Sequence, residues 1–122
     1  MYTITKEFHF SASHRLDHLP ADHQCARLHG HNYKVEIILQ SVELDKDNFV
    51  LDYGELKPFK ELIDNKLDHR HLNDIIPYQT TAENIARWLY EWAKERWDLV
   101  VAVRVSETPK TWATYSEKGA FL

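Results

Sequence analysis

The stretch His29-Gly30-His31-Asn32-Tyr33-Lys34-Val35-Glu36-Ile37-Ile38-Leu39-Gln40-Ser41 decides the fold, because its side chains alternate. From residue 32 on, Tyr33, Val35, Ile37 and Leu39 share one face. Lys34, Glu36 and Gln40 take the other, with Ile38 as the exception. Period two marks a half-buried strand. Upstream, residues 2–10 repeat it: Tyr2, Ile4, Phe8 and Phe10 alternate with polar neighbours. Downstream the period changes. Leu56, Phe59, Leu62, Ile63 and Leu67 fall at helical spacing and predict a helix over residues 54–67, despite Pro58 near its start. Thr80-Thr81-Ala82-Glu83 reads as a capping box, hydroxyl first and carboxylate three later, so Thr80 is the expected cap. Behind it Ile85, Trp88, Leu89, Trp92, Ala93 and Trp97 form the apolar face of a second helix, a tryptophan stripe read as core. Residues 99–105 are β-branched and residues 112–116 follow the Pro109 turn, which adds two strands. The order β-β-α-α-β-β predicts an α+β sandwich, two helices on one face of an antiparallel sheet. Its strand edges need cover, and a homo-oligomer would supply it.

Composition bounds the function. The 122 residues contain only 3 glycines and 4 prolines, with no linker or repeat, so one domain over residues 1–122 is expected. Apolar residues at 43% against 28% charged give a globular balance rather than a disordered one. A formal charge of −4 argues against a general nucleic-acid binder but leaves room for a small phosphorylated ligand. The single cysteine, Cys25, excludes an intrachain disulfide and points to the cytoplasm. No apolar run is long enough to span a membrane, and residues 1–7 lack the cationic and apolar blocks of a secretion signal.

Eight histidines are the anomaly. His29 and His31, two apart at the mouth of a strand, point the same way and can reach one ion. Gly30 between them lets backbone or ligand come close. If the first two strands pair as a hairpin, His14 arrives beside them. Three such imidazoles make an open tetrahedral zinc site; the bland alternative is a cluster of surface histidines near a loop. His9 and His18 are out of phase, and His23 reads as a solvated loop residue. Cys25, in a polar and partly cationic setting, is a reactive base or nucleophile, a fourth zinc ligand, or a small buried residue. Asp68 beside His69 makes either a proton relay or a solvated turn. Glu107, at the end of the third strand, is solvated or accepts paired N–H donors from a guanidine-like heterocycle.

Five segments occur in order: Phe10-Ser11-Ala12-Ser13-His14-Arg15-Leu16, Cys25-Ala26-Arg27-Leu28-His29-Gly30-His31, Leu67-Asp68-His69 with Leu72-Asn73, Thr81-Ala82-Glu83-Asn84 and Val105-Ser106-Glu107. Together they resemble the 6-pyruvoyltetrahydropterin synthase / 6-carboxytetrahydropterin synthase family, over residues 8–115. The resemblance implies the tunnelling fold, usually a hexamer of two stacked trimers, and zinc held by His14, His29 and His31. It implies Cys25, Asp68 and His69 as catalytic groups and Glu107 as the pterin anchor, with Thr81 near the ring. Arg27 is assigned to phosphate on charge and proximity alone. Three residues between Cys25 and the His-Gly-His motif are similar to the bacterial enzymes of queuosine biosynthesis, whereas Asn32-Tyr33-Lys34-Val35 is similar to the animal branch. Asn48 stands where many members have glycine, and Thr80 where many have proline.

The implied reaction converts 7,8-dihydroneopterin triphosphate to 6-carboxy-5,6,7,8-tetrahydropterin, acetaldehyde and triphosphate. The same-family alternative is a 6-pyruvoyl product. A rival of another class is a structural zinc module in which Cys25 closes the three-histidine shell, and a third is a zinc-free binding protein.

Overall fold

A computed structural model describes residues 1–117. Four antiparallel strands lie in the order β1-β2-β3-β4: β1 (Tyr2–His14), β2 (His29–Ser41), β3 (Val100–Ser106) and β4 (Ala113–Ser116). Between β2 and β3 come α1 (Lys57–Leu62) and α2 (Ala82–Lys94). The element order and the α+β class match the sequence expectation. Among the described residues no helix is long and apolar enough to cross a membrane.

β1 and β2 pair over their whole length, from Tyr2 opposite Ser41 to His14 opposite His29. Both strands therefore run further toward the hairpin than their apolar alternation reaches. The core face of the sheet carries Phe8, Phe10, Tyr33, Val35, Ile37, Leu39, Val103 and Val105, all buried. Ile38, out of phase in the sequence, sits beside a register shift and faces the buried Ala102 of β3.

The helix expected over residues 54–67 has three parts. Asp52 caps a 3₁₀ turn at Tyr53–Leu56, α1 follows, and a wider π turn at Ile63–Leu67 ends the segment. Leu56, Phe59, Ile63 and Leu67 are nevertheless fully buried, as their spacing requires. In the final turn the Asp68 N–H reaches back five residues to the Ile63 carbonyl at 2.9 Å. From there the chain turns extended and runs along the outer edge of β1. His69 N–H donates to the Ser11 carbonyl and Ser13 N–H to the Arg70 carbonyl. Asn73 then clamps Arg15, accepting its N–H at 3.0 Å and donating to its carbonyl at 2.8 Å. This strap covers the end of an edge that would otherwise be open.

The cap of α2 is Thr81, whose hydroxyl accepts the Asn84 N–H, and not Thr80 as the capping-box pattern predicts. Ala82, Ile85, Ala86, Leu89, Tyr90 and Ala93 make the buried face. Trp88, Trp92 and Trp97 pack against the core from its margin, half-buried, with Trp97 beyond the end of the helix.

Phe59 meets Phe8 edge to face at 5.2 Å, joining α1 to the sheet. Phe59→Ala is expected to cost about 3–5 kcal/mol in urea unfolding, whereas exposed Tyr78→Ala should change stability by less than about 0.5 kcal/mol.

Candidate functional site

At the hairpin end of β1 and β2 the core face continues past its aromatics into three histidines. Phe10 stacks on Tyr33 with ring centres 4.7 Å apart, and Tyr33 meets His31 at 5.4 Å and His14 at 6.0 Å. Above this floor the ring centres of His14, His29 and His31 stand 4.5–5.1 Å apart. Each offers one ligand atom to a group spanning no more than 4.8 Å. Strand pairing thus brings His14 to the His29-Gly30-His31 motif. At Gly30 a Cβ would stand 3.1 Å from the Ala12 carbonyl oxygen, so the missing side chain lets β1 and β2 close tightly between the two ligands.

Hydrogen bonding sets which nitrogen of each ring is available. His14 Nδ1 lies 2.8 Å from the Thr80 carbonyl oxygen, and His29 Nδ1 lies 2.7 Å from that of Arg27. A carbonyl only accepts, so both Nδ1 atoms carry the proton and both Nε2 atoms carry a lone pair. These two Nε2 atoms face each other at 3.0 Å. Two acceptors that close repel unless a cation lies between them. His31 Nε2 is a third buried nitrogen without a hydrogen bond; Glu107 Oε2 comes within 3.1 Å but out of line. Two facing lone pairs and a third unpartnered imidazole nitrogen fit a small divalent cation whose bonds to imidazole nitrogen are about 2.0–2.1 Å. Among the described residues Cys25 is not part of this group, so the arrangement is three nitrogens without a sulfur.

The same surroundings disfavour a charge on His14 and His31. Burial lowers His14 from 6.5 to about 4, with the neighbouring histidines adding to the shift and the Thr80 carbonyl opposing it. His31 is lowered too, by burial first and then by His29. Glu107 is pushed up, chiefly by burial, against a hydrogen bond from the Ala82 N–H and the attraction of His29. It stands 3.6 Å from His14 Nε2, at the open side of the cluster.

The remaining sequence candidates are distributed around this centre. Cys25 is half-buried in a short turn, Gln24–Ala26, whose Cys25 carbonyl accepts the Leu16 N–H just beyond β1. His23, expected to be merely solvated, caps that turn by accepting the Cys25 N–H at 3.0 Å. Arg27 orients His29 through its carbonyl. Thr81 caps α2, accepting the Asn84 N–H.

Asp68 and His69 lie across β1 on the strap. Asp68 Oδ1 accepts the Ser11 N–H and Oδ2 accepts from His69 Nδ1, both at 2.9 Å. The Ser11 bond, with His69 second, holds its carboxyl below the usual range. His69 is 82% exposed and left-handed at φ 58°, which leaves Nε2 facing outward. A groove of about 500 Å³ runs from His31 past Gly30 and Ser13 to His69 and His71. The sequence offered Thr80 only as a helix cap and gave Asn73 no role; their partners are 66 and 58 residues away, and nothing local announces them.

A family model described as 6-pyruvoyl tetrahydropterin synthase matches residues 3–118. A 6-carboxy-5,6,7,8-tetrahydropterin synthase of Haemophilus influenzae is 31% identical, covering 96% of this chain and all of its own length. A 6-pyruvoyl tetrahydrobiopterin synthase of Drosophila melanogaster is also 31% identical, over 92% of this chain and 77% of that one. Among solved structures, the Caenorhabditis elegans 6-pyruvoyl tetrahydropterin synthase superposes with a TM-score of 0.83 at 28% identity, over 94% of each chain.

The His14 shift has a measurable sign in chelator-treated protein. Between 6.5 and about 4 the unfolded chain takes up a proton that the folded chain refuses, so stability falls as pH drops through that window. Melting temperature should decline from pH 7 to pH 4.5 in the parent and less steeply in His14→Gln. Parallel curves would refute a buried neutral imidazole.

Proposed function

Because the chain belongs to the 6-pyruvoyl tetrahydropterin synthase family and is an enzyme of it, with its tunnelling fold, we propose that it is a zinc-dependent 6-carboxytetrahydropterin synthase. It converts 7,8-dihydroneopterin triphosphate to 6-carboxy-5,6,7,8-tetrahydropterin, acetaldehyde and triphosphate, a step toward queuosine, in the cytoplasm. The observation that carries this reading is the trio of imidazoles, His14 buried and His29 and His31 half-buried, whose nitrogens converge on one point with one carboxylate beside them.

His14, His29 and His31 would hold the zinc through Nε2. Bound there, the ion supplies a positive charge that polarises the substrate's side-chain oxygens and acidifies the adjoining C–H. Glu107 accepts the amino and ring N–H groups of the pterin by charge-assisted bonds, and Thr81 lies alongside. The Cys25 thiolate takes a proton from one face of the side chain. On the other face, His69 exchanges a proton at Nε2 while Asp68 keeps the proton on Nδ1. Arg27 is assigned to the triphosphate by charge alone. The 1–122 chain works as one domain within a hexamer of two stacked trimers; among the described residues, β4 pairs only with β3 and leaves an edge for a neighbour.

The product decides between this reading and the 6-pyruvoyl alternative, which the likeness to enzymes named for that product favours. Incubation with 7,8-dihydroneopterin triphosphate should give acetaldehyde and a carboxypterin by mass spectrometry; a pyruvoyl side chain supports the alternative. Cys25→Ala should keep its zinc and lose turnover by about 10²-fold or more. Loss of zinc with unfolding would favour the structural module instead, and unchanged turnover would remove the cysteine from the mechanism.

A further inference from the structure

We propose that Thr80 is a positioning residue for the metal centre: its carbonyl and hydroxyl together fix the ring of His14, and the helix cap at Thr81 anchors it. The inference rests on reading His14, His29 and His31 as ligands of one divalent cation. Thr80 is a polar residue with no exposed surface, and a buried hydroxyl is costly without a partner. Its partner is His14 Nδ1, 3.1 Å from Thr80 Oγ1 and 2.8 Å from the Thr80 carbonyl oxygen. The ring proton is therefore shared between two oxygens of one residue, a three-centre bond. Outer partners of this kind lock tautomer and orientation and strengthen the opposite nitrogen as a donor to metal. His29 has a single oxygen in that role, the Arg27 carbonyl.

The next residue anchors this hold. The Thr81 hydroxyl accepts the Asn84 N–H and starts α2. The Glu107 carboxylate stands beside the same ring, its Oε2 3.6 Å from His14 Nε2. Thr80 thus grips the ring from a position anchored by the helix cap that follows it.

Thr80→Val keeps the shape and the carbonyl but removes the hydroxyl; Thr80→Ser returns it. The full chain is titrated with Zn²⁺ against a chromophoric chelator, and its visible absorption is recorded with Co²⁺. Thr80→Val should bind Zn²⁺ about tenfold more weakly, the low end for losing an outer partner. Its Co²⁺ bands should shift, and Thr80→Ser should recover most of the affinity. Parent-like affinity and bands in Thr80→Val would overturn the proposal. So would a loss confined to melting temperature, with the folded variant's affinity unchanged. A parent chain that binds neither ion would overturn the three-histidine reading and this proposal with it.

Discussion

Two imidazole nitrogens, each bearing a lone pair, face one another across 3.0 Å at the end of the β1–β2 pair, and the chain is built to hold them there. Neither ring can turn to escape, since the Thr80 carbonyl claims His14 at its far side and the Arg27 carbonyl claims His29. Neither can readily relieve the repulsion by protonation in the case of His14, because burial disfavours its charge. The Phe10–Tyr33 stack closes the floor. What remains is a nest of converging imidazole nitrogens, the group by which histidine binds metal.

The proton-handling candidates are supported differently. Asp68 and His69 belong to no strand or helix, yet both carboxylate oxygens of Asp68 are engaged and the backbone is hydrogen-bonded to Ser11 and Ser13. A left-handed histidine is uncommon and costs conformational energy, which the surrounding bonds offset. The strap therefore serves two ends at once. It shields the rim of the sheet, and it gives an exposed imidazole a defined tautomer.

How far the sequence could be read follows from the range of the interactions. Strand alternation and helical spacing are local, and they located all four strands and both α-helices among the described residues. The strand ends at His14 and His29 were less legible, because Ser11, Ala12 and Ser13 carry no apolar alternation; partners on both sides of β1 keep that segment extended. The π turn before Asp68 has no glycine or proline to mark it and answers to a bond with Ser11 57 residues away. Thr80 looked like a cap because Glu83 follows three later. Its polar atoms are committed to His14, and the cap falls to Thr81. The three-histidine cluster was legible because a hairpin and a period of two suffice to bring its members together. Asn73 was not, since its clamp on Arg15 exists only once the strap is laid down.

The wide turn at Ile63–Leu67 also constrains how this chain can vary over evolutionary time. Each residue advances a helix by about 100°, so removing one there would restore a regular coil while swinging Asp68 away from Ser11. Substitutions that keep Ile63 and Leu67 apolar should accumulate freely, but insertions and deletions should not. Among descendants, the count of residues between α1 and the strap should be kept more strictly than their identities.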